Sequence, residues 1–157
     1  MKIVDNRKIS NHQALAKEIY RILYACYGKS PWSEQMIVSD LTRAEVRYYL
    51  AYQGNHLKAF LATQTVLDEL EITNLAVLPE NQRQGLASRL LQALSGFPGT
   101  LFLEVRESNL TARRLYEEFG FIEFNRRKSY YVDPVEDALL LKKLQLNHVK
   151  ERTEKQN

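Results

Sequence analysis

The segment from Glu69 to Leu94 constrains this chain most, because a strand, a turn and an amphipathic helix follow one another within it. Glu69 to Leu78 reads as a strand, Pro79 and Gly85 bracket a turn, and Leu86, Leu90, Leu91 and Leu94 share one helix face. Where a strand feeds a loop that opens a helix, the first backbone N–H groups of the helix lack intrahelical partners and carry partial positive charge. Such a loop can hold a pyrophosphate if small residues admit it, and Gly85 and Ala87 give that access. An ordinary connecting loop is the alternative. No Gly-Lys-Ser/Thr follows, which excludes a Walker loop, and the dinucleotide fingerprint is incomplete.

The rest of the chain reads as short alternating elements. Asn11 can cap a helix through about Tyr27, with Leu15, Ile19, Ile22, Leu23 and Cys26 at helical spacing and Gly28 as its stop. Ser33 can cap a second amphipathic helix carrying Met36, Ile37 and Leu41, lying beside the first. Residues 47–52 and 57–63 flank Gln53-Gly54-Asn55-His56 as a β-hairpin. Thr100 to Val105 is an apolar strand, Asn109 caps a helix to about Phe119, and strands follow at 121–127 and 136–141. The order predicts an α+β fold around one mixed sheet, a single domain over residues 1–144, and a polar tail at 145–157 that frays.

Composition narrows the function classes. The +3 charge comes from 22 basic and 19 acidic residues, too small an excess to require nucleic acid. Cys26 is the only cysteine, so no internal disulfide forms, no zinc pattern exists, and the thiol reads as buried and structural. No apolar run reaches the roughly 18 residues of a membrane span, and the N-terminus lacks a signal peptide, so a cytoplasmic location is expected.

Gln82-Arg83-Gln84-Gly85-Leu86-Ala87 resembles the Gln/Arg-x-x-Gly-x-Gly/Ala pyrophosphate loop of GNAT acetyltransferases. Asn109 to Phe121 resembles the same family's Asn-x-x-Ala-x-x-x-Tyr-x-x-x-Gly-Phe signature, and the two motifs occur in family order. Leu103-Glu104-Val105-Arg106-Glu107-Ser108-Asn109, Pro31-Trp32-Ser33, Arg127 to Tyr131 and Glu136-Asp137-Ala138 are similar to segments of ribosomal-protein-alanine N-acetyltransferases. The likeness covers about residues 30 to 142. Ser129 stands where that group commonly has Asn or Gly, Val132 where Pro is frequent, and Asn125 where Gly is usual.

The resemblance implies acetyl-CoA as co-substrate, no metal, and a protein N-terminus, that of a ribosomal protein, as acceptor. Glu104, at the end of an apolar strand, is the expected base; a solvent-facing carboxylate is the bland alternative. Tyr116 is the expected acid toward the departing thiolate. Spacing by seven residues puts Asn109 and Tyr116 near one helix face, with Leu115 and Phe119 on a core-facing stripe. The family's carbonyl-binding main chain maps onto Leu75-Ala76-Val77, and the pyrophosphate loop onto Gln82, Arg83, Gln84, Gly85, Leu86, Ala87 and Ser88. Asn109 would reach the pantetheine arm, although capping alone can explain it. Trp32, Tyr130 and Tyr131 are acceptor-groove residues or else core. Arg126-Arg127-Lys128 is a solvated strand end, or meets cofactor phosphate or RNA. A GNAT enzyme acting on lysine or a small amine, and an acyl-CoA-sensing protein without turnover, are the competing readings.

Overall fold

The computed structural model describes residues 1–145. Along the chain run β1 (Lys2–Asp5), α1 (His12–Tyr27), α2 (Glu34–Leu41), β2 (Val46–Gln53), β3 (His56–Val66), β4 (Glu69–Val77), α3 (Leu86–Gln92), β5 (Thr100–Arg106), α4 (Leu110–Glu118), β6 (Ile122–Tyr131) and β7 (Glu136–Leu144). The strands form one sheet in the order β1-β2-β3-β4-β5-β7-β6. β4 and β5 pair in parallel, whereas β1–β2, β2–β3, β5–β7 and β6–β7 are antiparallel, which makes the sheet mixed and the fold α+β as expected.

Two compact units divide the chain, Met1–Gln64 with Thr73–Leu94 and Thr65–Ile72 with the chain from Ser95 onward. In the first, Asn11 caps α1 by accepting the Ala14 N–H at 3.0 Å, and Ser33 caps α2 through the Met36 N–H at 3.1 Å. A cap is worth about 1 kcal/mol, while each fully buried Leu or Ile is worth about 1.5–3. Ile19, Ile22 and Leu23 are all fully buried, so tertiary packing rather than capping holds α1. They join Ile37 and Leu41 of α2 and Tyr48, Leu50 and Phe60 of the sheet in one core, so the two helices do share a face.

β1 was not legible in the sequence. It is four residues long and pairs Lys2–Asp5 with Tyr52–Tyr49, too short for a period-two pattern to register. Asn6 behind it is buried and its Oδ1 accepts the Tyr48 N–H at 2.8 Å, fastening the N-terminal segment to β2.

In the second unit, Leu101, Leu103 and Val105 of β5 are buried on one face with Leu139 and Leu141 of β7, while Ala138, opposite Arg106, is buried on the other. Gly99 leads into β5 at a point where a Cβ would lie 2.0 Å from the Asp68 carbonyl oxygen, so only glycine fits. β6 runs to Tyr131, further than the expected Arg127, because register shifts at 123/125 and 127/131 absorb residues that break the alternation. β7 likewise extends to Leu144. Gln145, expected in the tail, donates its N–H to the Gly99 carbonyl at 2.8 Å; residues 146–157 lie outside the described residues.

On α4 the expected core stripe is corrected. Tyr116 is the buried residue, and Leu115 and Phe119 are half-buried. The chain reverses after Gly120 and lays Phe121 edge-on against the Tyr116 ring at 5.6 Å, which selects that side of the helix. Among the described residues no helix is long and apolar enough to cross a membrane.

Candidate active site

The end of β4 is fixed on both sides of one peptide plane. The Val77 carbonyl accepts from the Cys26 thiol at 3.2 Å and from the Gln82 side-chain amide at 3.1 Å, while the adjoining Leu78 N–H donates to the Lys58 carbonyl at 2.9 Å. Cys26 is therefore a hydrogen-bonded structural thiol, half-buried where a buried one was expected. Burial raises its pKa against the opposing effect of the Val77 bond, so it stays a thiol and not a reactive thiolate. Ala76 is buried, with Leu75 and Val77 half-buried beside it.

Gln82 thus braces the loop through one side-chain N–H. Arg83 (φ 64°) and Gly85 (φ 78°) are both left-handed. A Cβ at Gly85 would meet nothing within 4 Å, so the dihedral and not crowding calls for glycine, and the space above the loop is open. The first α3 bond is Arg89 N–H to Gly85 carbonyl at 3.1 Å; the amides of Leu86, Ala87 and Ser88 precede it and make no intrahelical bond. Amides of this kind carry partial positive charge. Arg83 and Gln84 are exposed, whereas the Leu86 side chain is buried and can offer only backbone. Trp32 packs partly on the first unit's core and lines a cavity of about 230 Å³ with Met36, Val46 and Thr73.

In the second unit Glu104 is half-buried, its side chain 27% exposed, and Arg127 Nη2 lies 3.5 Å from its Oε1. Glu71 is the neighbour that the sequence reading missed. The parallel register sets Glu71 opposite Phe102 and Ile72 opposite Leu103, and burial, then the charge of Glu104, push the Glu71 carboxyl above its ordinary pKa while Arg127 opposes them. Which strand lies beside β5 is a long-range fact that local pattern does not carry.

Neither tyrosine is core: Tyr130 is 48% exposed and Tyr131 half-buried, their rings edge to face at 5.1 Å. Arg127 lies over Tyr130 at 5.3 Å and Arg106 over Tyr131 at 4.2 Å. Burial, followed by the charge of Glu104, raises the Tyr131 phenol. Arg106 braces the turn after β6 by donating to the Val132 and Pro134 carbonyls and pairing with Glu136. Glu136 also accepts the Ser108 N–H, and Asp137 accepts the Ser129 N–H at 2.9 Å. The basic run is accordingly no bare patch, since Arg126 pairs with Glu107 at 2.9 Å, Asp137 at 3.2 Å and Glu123 at 3.7 Å.

Asn109 and Tyr116 differ more than their spacing implies. Asn109 is exposed and its Oδ1 caps α4 through the Ala112 N–H at 3.2 Å, whereas Tyr116 is 8% exposed. Among the described residues no group of three or more His, Cys, Asp and Glu could hold a metal ion.

Residues 16–121 match the family model described as Acetyltransferase (GNAT) family. The [ribosomal protein bS18]-alanine N-acetyltransferase of Escherichia coli (strain K12) is 42% identical over 118 residues, 71% of this chain and 79% of that protein. The crystal structure of the ribosomal-protein-S18-alanine N-acetyltransferase from Escherichia coli is similar with a TM-score of 0.78 and 35% identity, covering 90% of this chain and 91% of that one. An aminoglycoside 6'-N-acetyltransferase complexed with coenzyme A shares the fold at a TM-score of 0.75 and 13% identity, over 91% of this chain and 96% of that one. With the family model matching residues 16–121 and so large a share of a 42% identical relative covered, the chain belongs to the acetyltransferase (GNAT) family.

Proposed function

We propose that this chain transfers the acetyl group of acetyl-CoA to the α-amino group at a protein N-terminus, and that the acceptor is the N-terminal alanine of a small-subunit ribosomal protein. The observation that carries this reading is the 42% identity to a [ribosomal protein bS18]-alanine N-acetyltransferase, of which the chain covers 79%. Residues 1–144 act as one catalytic domain in this reading, and a cytoplasmic location goes with a ribosomal acceptor.

The chemistry assigns a task to each candidate. A free α-amino group has a pKa of roughly 7.7–8, so it arrives mostly protonated and must lose a proton before it attacks. Glu104 takes that proton. As the N–C bond forms, the Val77 N–H, on the main chain of Leu75-Ala76-Val77, supports the negative charge on the carbonyl oxygen. The C–S bond then breaks, and the Tyr116 hydroxyl gives the thiolate its proton. Backbone amides from Gln82 to Ser88 hold the pyrophosphate, the Asn109 side-chain NH₂ meets the pantetheine arm, and Trp32, Tyr130 and Tyr131 line the path of the acceptor peptide. The reaction as written needs no metal.

Initial rates on peptides that differ only in their first residue test the acceptor. The highest kcat/KM should fall on the alanine-first peptide. Turnover only on peptides with a blocked N-terminus and a free lysine would favour a lysine acetyltransferase, and acetyl-CoA binding without turnover on any amine would favour a sensing protein.

A further inference from the structure

The candidate base has two charged neighbours that the reaction so far leaves without a task. We infer that Glu71 and Arg127 belong to the acceptor site: Glu71 holds the protonated amine beside Glu104, and Arg127 is the counter-ion that the amine replaces. This rests on the reading of Glu104 as the base.

The strand geometry puts both carboxylates on one face. Leu70 and Ile72 of β4 are buried, as are Leu101, Leu103 and Val105 of β5, so Glu71 and Glu104 leave the opposite side of two paired strands. One guanidinium serves both. Arg127 is 53% exposed and sits 3.5 Å from Glu104, longer than the roughly 2.7–2.9 Å of a tight charge-assisted bond. The other nearby arginines are engaged, Arg126 by Glu107, Asp137 and Glu123 and Arg106 by Glu136. Two carboxylates against one loosely held cation leave one negative charge to be balanced, and a compact monocation such as an α-ammonium balances it.

A single carboxylate cannot do both jobs the amine requires. Once Glu104 has accepted the proton it is a neutral acid and its attraction for the amine is gone. Glu71, still ionised, keeps the amine in place by accepting one of its remaining N–H bonds while the nitrogen lone pair attacks the thioester. On the same side of the sheet lie Arg127, Tyr130 and Tyr131 of β6, Arg106 of β5, Glu136 and Lys142 of β7 and Glu69 of β4; Lys142 sits over the Phe124 ring, and Arg127 is the cation that bears on Glu71 together with Glu104. Glu71 is itself exposed, so an incoming ammonium can reach its carboxylate.

Initial-rate kinetics from pH 6.5 to 9 on an alanine-first peptide give the test. Glu71→Gln should raise the peptide KM roughly tenfold near pH 7, leave the acetyl-CoA KM unchanged, and approach the parent as the amine loses its proton. Glu71→Asp should recover part of the loss, and Arg127→Gln should lower the peptide KM near pH 7. An unchanged peptide KM in Glu71→Gln, an equal rise in both KM values, or a rise that persists at pH 9 would overturn the inference while leaving the acceptor assignment standing. A parent enzyme that leaves free N-termini unmodified would overturn both.

Discussion

Arg106 and Glu136 join the end of β5 to the start of β7 through an ion pair of 3.3 Å, and Glu136 also accepts the Ser108 amide. The Ser108 hydroxyl and amide, then Arg106, hold the Glu136 carboxyl below its usual range; the Ser129 N–H, then Arg126, do the same for Asp137. A carboxylate with a depressed folded pKa stabilises the fold above its unfolded value and loses that contribution as pH falls through the folded one. The melting temperature should therefore hold from pH 7 to 5 and drop below about pH 4, near the unfolded carboxylate values. Glu136→Gln should melt lower at pH 7 and show a shallower acid slope. An unchanged slope would show that this pair does not set the acid limit.

Ser129 is left-handed at φ 51° in a bulged stretch of β6, which explains why Asn or Gly suits that position. A non-glycine residue there costs of order 1–3 kcal/mol, less for Asn. Ser129→Asn keeps the backbone N–H that bonds Asp137 and should stabilise the protein by about 0.5–1 kcal/mol in urea unfolding. No gain, or a loss, would mean that the serine hydroxyl has a role of its own.

The strand–turn–helix from Glu69 to Leu94 and the capped helices were legible because each is written locally, in a polar cap, a period of apolar residues and a stop. The candidate site residues came instead from the resemblance of Gln82–Ala87 and Asn109–Phe121 to family motifs, which local pattern alone does not supply. Glu71, the bracing role of Gln82 and the engagement of Arg126 were not, since each depends on which segments the fold brings side by side. β1 escaped because four residues carry too little pattern, and Tyr116 outranked Leu115 in burial because the reversal at Gly120 decides which side of α4 is covered.

Gly85 offers a test of the phosphate loop that crowding does not confuse, because its Cβ position is open. Gly85→Val forces a β-branched residue toward a left-handed dihedral and should weaken acetyl-CoA binding by at least about tenfold in calorimetry, while Gly85→Asn, which tolerates that dihedral, should keep most of the affinity. Equal affinity in a folded Val variant would remove the loop from the site.

Glu104 and Tyr116 should respond to pH in opposite ways. Glu104→Gln should lower kcat by something like 10²–10⁴ with acetyl-CoA affinity retained, and the defect should shrink at high pH where the amine is already neutral. Tyr116→Phe should also lower kcat without rescue, because its loss concerns the thiolate. Near-parent kcat in both variants from pH 6 to 9 would refute these roles.

The nitrogen that receives the acetyl group distinguishes N-terminal from lysine acetylation. A peptide that begins with a free alanine and carries an internal lysine should be incubated with acetyl-CoA and the enzyme, and the added acetyl group located by fragment-ion mass spectrometry. The account predicts acetyl on the alanine α-nitrogen with the lysine side chain untouched; acetyl on the lysine with a free α-amine would contradict it.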